Sequence, residues 1–241
     1  MGRTFENRKS AILKRGNRDM KAFTRCGRQI TMAVKSGGGD PDGNPSLRRA
    51  VQNARSVNMP KDKIQAAIDK AMNVGDGADF QTVLYEGYGP HGIAMIVETA
   101  TDNPTRTVAN VRAAFNKENG NLGTTGSVSF MFQQLGVFRL KPEGLDRDEL
   151  ELSLIDHGLE DLMEGASDDG EPLLLARCAR EDFGNLQAGL ETEKIEPVSS
   201  GFEWIPGNST ELEEEGMDAV LKLIERLEQD DDVQAVFHNL E

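Results

Sequence analysis

The sequence predicts an α+β protein with a helical N-terminal domain and two ferredoxin-like α/β domains, one inserted in the other. Three observations lead there. Basic residues crowd one end of the chain. Hydrophobic periodicity changes from 3.6 to about 2 near residue 80. A βαββαβ order between Val137 and Trp204 is that of a four-stranded antiparallel sheet with two helices on one face. The boundaries that follow are residues 1–76 for the basic helical domain, 77–134 with 206–241 for one α/β domain, and 135–205 for the insertion.

The first element is a helix whose apolar residues Met20, Phe23, Cys26, Ile30 and Val34 fall within about 120° of arc, while Lys21, Arg25, Arg28 and Lys35 gather beside them. Gly37, Gly38 and Gly39 stop it. Asn44 before Pro45 reads as a cap and first position of the next helix, with Leu47, Ala50, Val51, Ala54 and Val57 as its stripe. Met59 and Pro60 break the chain, and Ile64, Ala67, Ile68 and Ala71 mark a third amphipathic helix ending before Gly75 and Gly77. Gln81–Glu86 and Ile93–Thr99 flank a glycine-rich turn and read as a hairpin. A helix over Thr105–Asn119 follows, then a loop from Gly120 and a strand over Ser127–Phe132.

The insertion is read as strand Val137–Leu140, helix Asp146–His157, strands Leu159–Glu164 and Leu173–Arg177, helix Glu181–Glu191 and strand Ile195–Trp204. A helix over Thr210–Gln229, with Thr210 and Glu213 as a capping box, and a strand over Val233–His238 complete the chain.

Composition excludes several classes. At 37% hydrophobic residues the 241-residue chain carries enough apolar material for folded cores. Two cysteines, Cys26 and Cys178, make neither a disulfide framework nor a zinc site and point to a reducing, cytoplasmic setting. No apolar run approaches the ~18 residues of a membrane helix. Histidines 91, 157 and 238 are too scattered for one metal site, no cofactor fingerprint is present, and Glu86, His91, Glu98 and Ser127 form no known catalytic spacing. The expectation is a protein without catalysis, metal or cofactor, and with no membrane partner.

The net charge of −14 conceals a strong asymmetry. Residues 1–72 hold 16 Lys and Arg against 6 Asp and Glu, a net of +10, and the remainder carries −24. Concentrated positive charge in an acidic protein points to a polyanion. The candidate phosphate-binding residues are Arg3, Arg8, Lys9, Lys14, Arg15, Arg18, Lys21, Arg25, Arg28, Lys35, Arg48, Arg49, Arg55, Lys61 and Lys63. Such contacts give affinity without sequence information. Aromatic residues are only 5%, so base stacking is expected to be minor. Two loops, at Asn103 and Arg106 and at Asn121 and Gly123, are read as helix caps and turns or as partner-facing segments.

Five motifs occur in order: Gly37-Gly38-Gly39-Asp40-Pro41; Asn58-Met59-Pro60-Lys61-Asp62; Tyr85-Glu86-Gly87-Tyr88-Gly89-Pro90; Thr101-Asp102-Asn103 with Arg106-Thr107-Val108; and Gly120-Asn121-Leu122-Gly123 with Gly126-Ser127-Val128. With them the full chain resembles the YebC/PmpR family. That resemblance implies a three-domain protein with a helical N-terminal domain and a DNA-binding, transcription-regulating role; the alternative it implies is a ribosome-associated translation factor contacting ribosomal RNA. Many members open with Gly-His-Ser-Lys-Trp, where this chain has Gly2-Arg3-Thr4-Phe5-Glu6. Oligomeric state is left open.

Overall fold

The computed structural model describes residues 3–73, 79–167 and 170–241, with side chains from residue 19 onward. In chain order the elements are α1 (Arg3–Gly37), α2 (Pro45–Ser56), α3 (Lys61–Met72), β1 (Gln81–Tyr88), β2 (Ala94–Thr101), α4 (Pro104–Lys117), β3 (Asn121–Leu122), β4 (Phe132–Leu140), α5 (Arg147–Ile155), β5 (Leu159–Ala166), β6 (Pro172–Ala179), α6 (Phe183–Thr192), β7 (Ser199–Pro206), α7 (Glu214–Leu227) and β8 (Val233–His238). The strands form two sheets, ordered β3-β1-β2-β8 and β5-β6-β4-β7. This is the α+β class expected, with helices first and two four-stranded sheets after them.

By compactness the chain groups into two units, one of residues 1–83, 98–110 and 225–235 and the other of 84–97, 111–224 and 236–241. The first unit is built on the helices. Ile30, Leu47 and Ala54 are fully buried, and Cys26, Val34, Val51, Ile64 and Ile68 pack with them. One buried amide organises the turn between α1 and α2. Asn44 accepts from Leu47 N at 3.1 Å as the N-cap of α2 and donates through Nδ2 to the carbonyls of Ala33 and Gly38. The turn needs Gly38 at φ +88, a left-handed conformation open to glycine at little cost. Met20, expected on the apolar stripe, is 63% exposed, lying ahead of the α1 segment that the shorter α2 and α3 cover.

In the second unit, β4 pairs antiparallel with both β6 and β7, and β5 with β6. That order places the first and third strands of the βαββαβ unit at the centre, as in a ferredoxin-like sheet. Its core is Phe138, Leu140, Leu154, Leu162, Leu186 and Leu190, with Phe183 stacked on Phe138 at 4.5 Å between ring centroids.

Two element assignments differ from expectation. Ser127–Phe132 is not a strand: residues 129–131 form a 3-10 turn, and β4 starts at Phe132. The cause is Glu86, whose carboxylate accepts from Gly126 N, Val128 N and Ser129 N at 2.8–2.9 Å. Three backbone donors within four residues converging on one side chain curl the backbone and cannot also serve a ladder. Likewise α7 begins at Glu214, not after Thr210. Thr210 N donates to Asn239 O at 2.7 Å and Thr210 O accepts from Glu241 N at 3.1 Å, which holds that residue in a bridge instead of a cap.

Candidate nucleic-acid interface

The cations of the first unit fall into two sets. The α1 candidates with described side chains meet the chain's own acceptors. Lys21 Nζ donates to Glu228 O at 3.3 Å, and Arg25 donates through Nε to Val233 O at 3.1 Å with Glu228 Oε1 3.6 Å from its Nη2. Lys35 Nζ lies 3.1 Å from Asp79 Oδ1. Arg28 is the most enclosed: its side chain is 14% exposed, Nη1 lies 2.6 Å from Asp232 Oδ1, and the guanidinium covers the Phe80 ring at 4.9 Å. Of the cationic face expected along α1, the four described members, Lys21, Arg25, Arg28 and Lys35, meet carboxylates and carbonyls of residues 79 and 228–233.

Asp232 is the centre of that arrangement. Its side chain is 3% exposed and receives Arg28 on Oδ1, Thr107 Oγ1 on Oδ2 at 2.6 Å and Arg106 Nη2 on Oδ2 at 2.8 Å. Burial pushes this carboxyl up, but the hydrogen bonds from Thr107, Arg106 and Arg28 outweigh it and hold the pKa at about 2. Arg106 also pairs with Asp102 at 2.8 Å. Asn103 caps α4, its Oδ1 accepting from Arg106 N at 3.1 Å. Asn103 and Arg106 thus make internal contacts, with the Arg106 side chain 48% exposed. Sequence reasoning missed Asp232, although the run Asp230-Asp231-Asp232 just before an apolar strand was a visible signal.

The second set stands on α2 and α3. Arg48, Arg55, Lys61 and Lys63 are exposed. Arg48 and Arg55 are seven positions apart, which puts them within about 20° of one helix face and about 10 Å apart along it. Arg48 donates to the carbonyls of Pro41 and Asp42 at 3.3 Å, contacts that orient the side chain without neutralising it. The tight turn after α2, closed by Met59 N to Ala54 O at 2.9 Å, delivers Lys61 and Lys63 at the start of α3. Lys63 Nζ sits 5.1 Å from the Phe23 ring centre, a cation–π contact that steadies the ammonium. Arg55, Lys61 and Lys63 have no ion pair among the described residues. Arg49 is half-buried, engaged, and lowered in pKa by that burial. Arg3, Arg8, Lys9, Lys14, Arg15 and Arg18 lie outside the described side chains.

The remaining candidates separate. Asn121 pairs with Tyr88 across β3 and β1, and Gly123 N donates to Glu86 O at 2.8 Å. Glu86 stands on β1 and Ser127 in the loop it holds, but backbone donors from Gly126, Val128 and Ser129 occupy the Glu86 oxygens and keep its carboxyl below the usual range despite burial. Glu98 is raised by burial, and His91 sits in the turn after β1 at φ 58. Among the described residues no group of His, Cys, Asp or Glu is arranged to hold a metal ion, and no helix is long and apolar enough to cross a membrane.

A basic helical portion followed by two four-stranded sheets defines a mixed α+β protein with cations segregated at its N-terminal end. The chain belongs to the TACO1/YebC family: the family's N-terminal domain profile matches residues 3–74, and that of its second and third domains matches residues 80–240. A relative from Myxococcus xanthus, 57% identical over 240 residues and covering 100% of both chains, is named a probable transcriptional regulatory protein. One from Flavobacterium johnsoniae, 50% identical and covering 100% of this chain and 99% of its own, bears the same name. The crystal structure of a conserved hypothetical protein from Aquifex aeolicus matches with a TM-score of 0.80 at 35% identity, over 92% of this chain and 89% of that one.

Proposed function

We propose that this chain is a non-enzymatic regulatory protein of the cytoplasm that binds duplex DNA by phosphate contacts from α2 and α3. The observation that carries the reading is the exposed set Arg48, Arg55, Lys61 and Lys63 on a molecule of net charge −14. Leaving these cations without carboxylate partners, while acids elsewhere in the same unit pair with Arg25, Arg28 and Lys35, favours an external polyanion. The transcriptional-regulator names of the Myxococcus and Flavobacterium relatives support the regulatory part. Both cysteines are free and buried, with thiols pushed by burial to about 11, which suits a reducing compartment.

Four such contacts would give a salt slope of roughly −3.6, so affinity should fall on the order of 10²-fold between 50 and 200 mM salt. Titrations of labelled duplex DNA and of purified ribosomes at matched salt test the reading. Tighter binding to DNA with that salt response is the expected result. Tighter binding to ribosomes would move the target to ribosomal RNA, and binding to neither would overturn the proposal.

A further inference from the structure

We infer that Phe130 and the loop before it form a platform on which an unpaired nucleobase stacks. This rests on the nucleic-acid reading above and adds to it a contact with bases, which phosphate-binding cations do not make.

Residues 119–131, between α4 and β4, contain no charged side chain in a chain that is 28% charged. An ordinary solvated loop in so charged a protein would carry both signs, and a phosphate-binding one would carry cations. Here Asn119, Asn121, Thr124 and Thr125 are exposed instead, groups that donate to and accept from the neutral edges of a base. Phe130 is 77% exposed although its neighbours Val128 and Phe132 are buried. Hydrophobic collapse has taken the residues on either side and left the ring outside.

The ring is also held in place. Glu86 fixes Gly126, Val128 and Ser129 through their backbone N–H groups, and the 3-10 turn Ser129–Met131 follows directly. Tyr88, 37% exposed, donates its hydroxyl to Ser127 O at 3.3 Å. Gly123 lets the loop close on itself, because a Cβ there would come within 2.5 Å of Ser127 Oγ. A loop ordered before binding loses little conformational entropy when it binds, as a stacking site requires. The apolar feature is one ring, far smaller than the patches of several hundred Å² that mark protein docking faces. Its size and its uncharged, hydrogen-bonding surroundings match one base.

The test uses the full chain with labelled oligo(dT) and oligo(U) as single-stranded probes and a DNA duplex of equal length as control. Phe130→Ala should weaken binding to the single strands by about tenfold and leave duplex binding within about twofold, with an unchanged thermal midpoint. Phe130→Trp should restore binding, and its indole fluorescence should be quenched by the single strand. A larger loss for oligo(U) than for oligo(dT) would identify RNA as the source of the base, and the reverse would identify DNA. Single-strand affinity unchanged in Phe130→Ala overturns the inference, and leaves the ring to protein contact, while the phosphate reading stands if Arg55→Glu with Lys61→Glu still abolishes binding. Wild-type protein that binds the duplex but neither single strand overturns the inference alone, and protein that binds none of the three overturns both.

Discussion

The cations of α1 and those of α2 and α3 belong to one compact unit and are the same residue types, yet they serve different ends. Lys21, Arg25, Arg28 and Lys35 meet Glu228, Val233, Asp232 and Asp79, while Arg55, Lys61 and Lys63 stand in solvent. The acceptors of the first three lie more than 200 residues away in sequence. A surplus of positive charge along the chain is therefore not the same quantity as positive charge presented at the surface. Among the described side chains, part of the N-terminal surplus is engaged within the fold and part stands exposed.

The largest expected effect probes the internal set. Asp232→Ala leaves Arg28, 14% exposed, without its carboxylate, and removes one acceptor of Thr107. It should destabilise the protein by about 3–5 kcal/mol in chemical denaturation, because an uncompensated buried charge remains. If it costs less than about 1 kcal/mol, the α1 set is not structural and the distinction fails. Charge reversal of the other set should do the opposite. Arg55→Glu, Lys61→Glu and Lys63→Glu together should lower duplex affinity on the order of 10²-fold or more while shifting unfolding stability by less than about 1 kcal/mol.

Acid should separate the sets as well. The Asp232 pKa of about 2 lies below its unfolded value, so its contribution is complete above about pH 4 and is lost as the pH falls towards 2. Unfolding measured across that window should show a loss of roughly 2 kcal/mol that Asp232→Asn abolishes. The smallest effect belongs to Lys35, whose partner Asp79 is 96% exposed. Lys35→Ala should change stability by no more than about 0.5 kcal/mol, as solvent screens such a pair.

Much of this architecture was legible in the sequence, for local reasons. Asn44-Pro45 marked a helix start because a cap and a proline act within one turn, and the stripe Leu47, Ala50, Val51 and Ala54 is the buried face of α2. The βαββαβ order translated directly into the sheet β5-β6-β4-β7. What sequence reading missed depends on distant partners. Ser127–Phe132 has the composition of a strand, but Glu86, some 40 residues earlier, claims its donors. Thr210 has the form of a cap, but Asn239 and Glu241 hold its backbone. The same limit applied to the candidate interface: helical periodicity located Lys21, Arg25 and Arg28 on α1, and only the fold revealed that Glu228 and Asp232 meet them.

The most direct measurement is the slope of log affinity for duplex DNA against log salt concentration, compared across variants. Arg55→Ala, Lys61→Ala and Lys63→Ala together should make the slope shallower by roughly 3, at about 0.9 per phosphate contact, while Lys21→Ala with Lys35→Ala leaves it unchanged. A triple variant with the wild-type slope, or an equal change on removing the α1 lysines, would contradict the division of labour between the two sets.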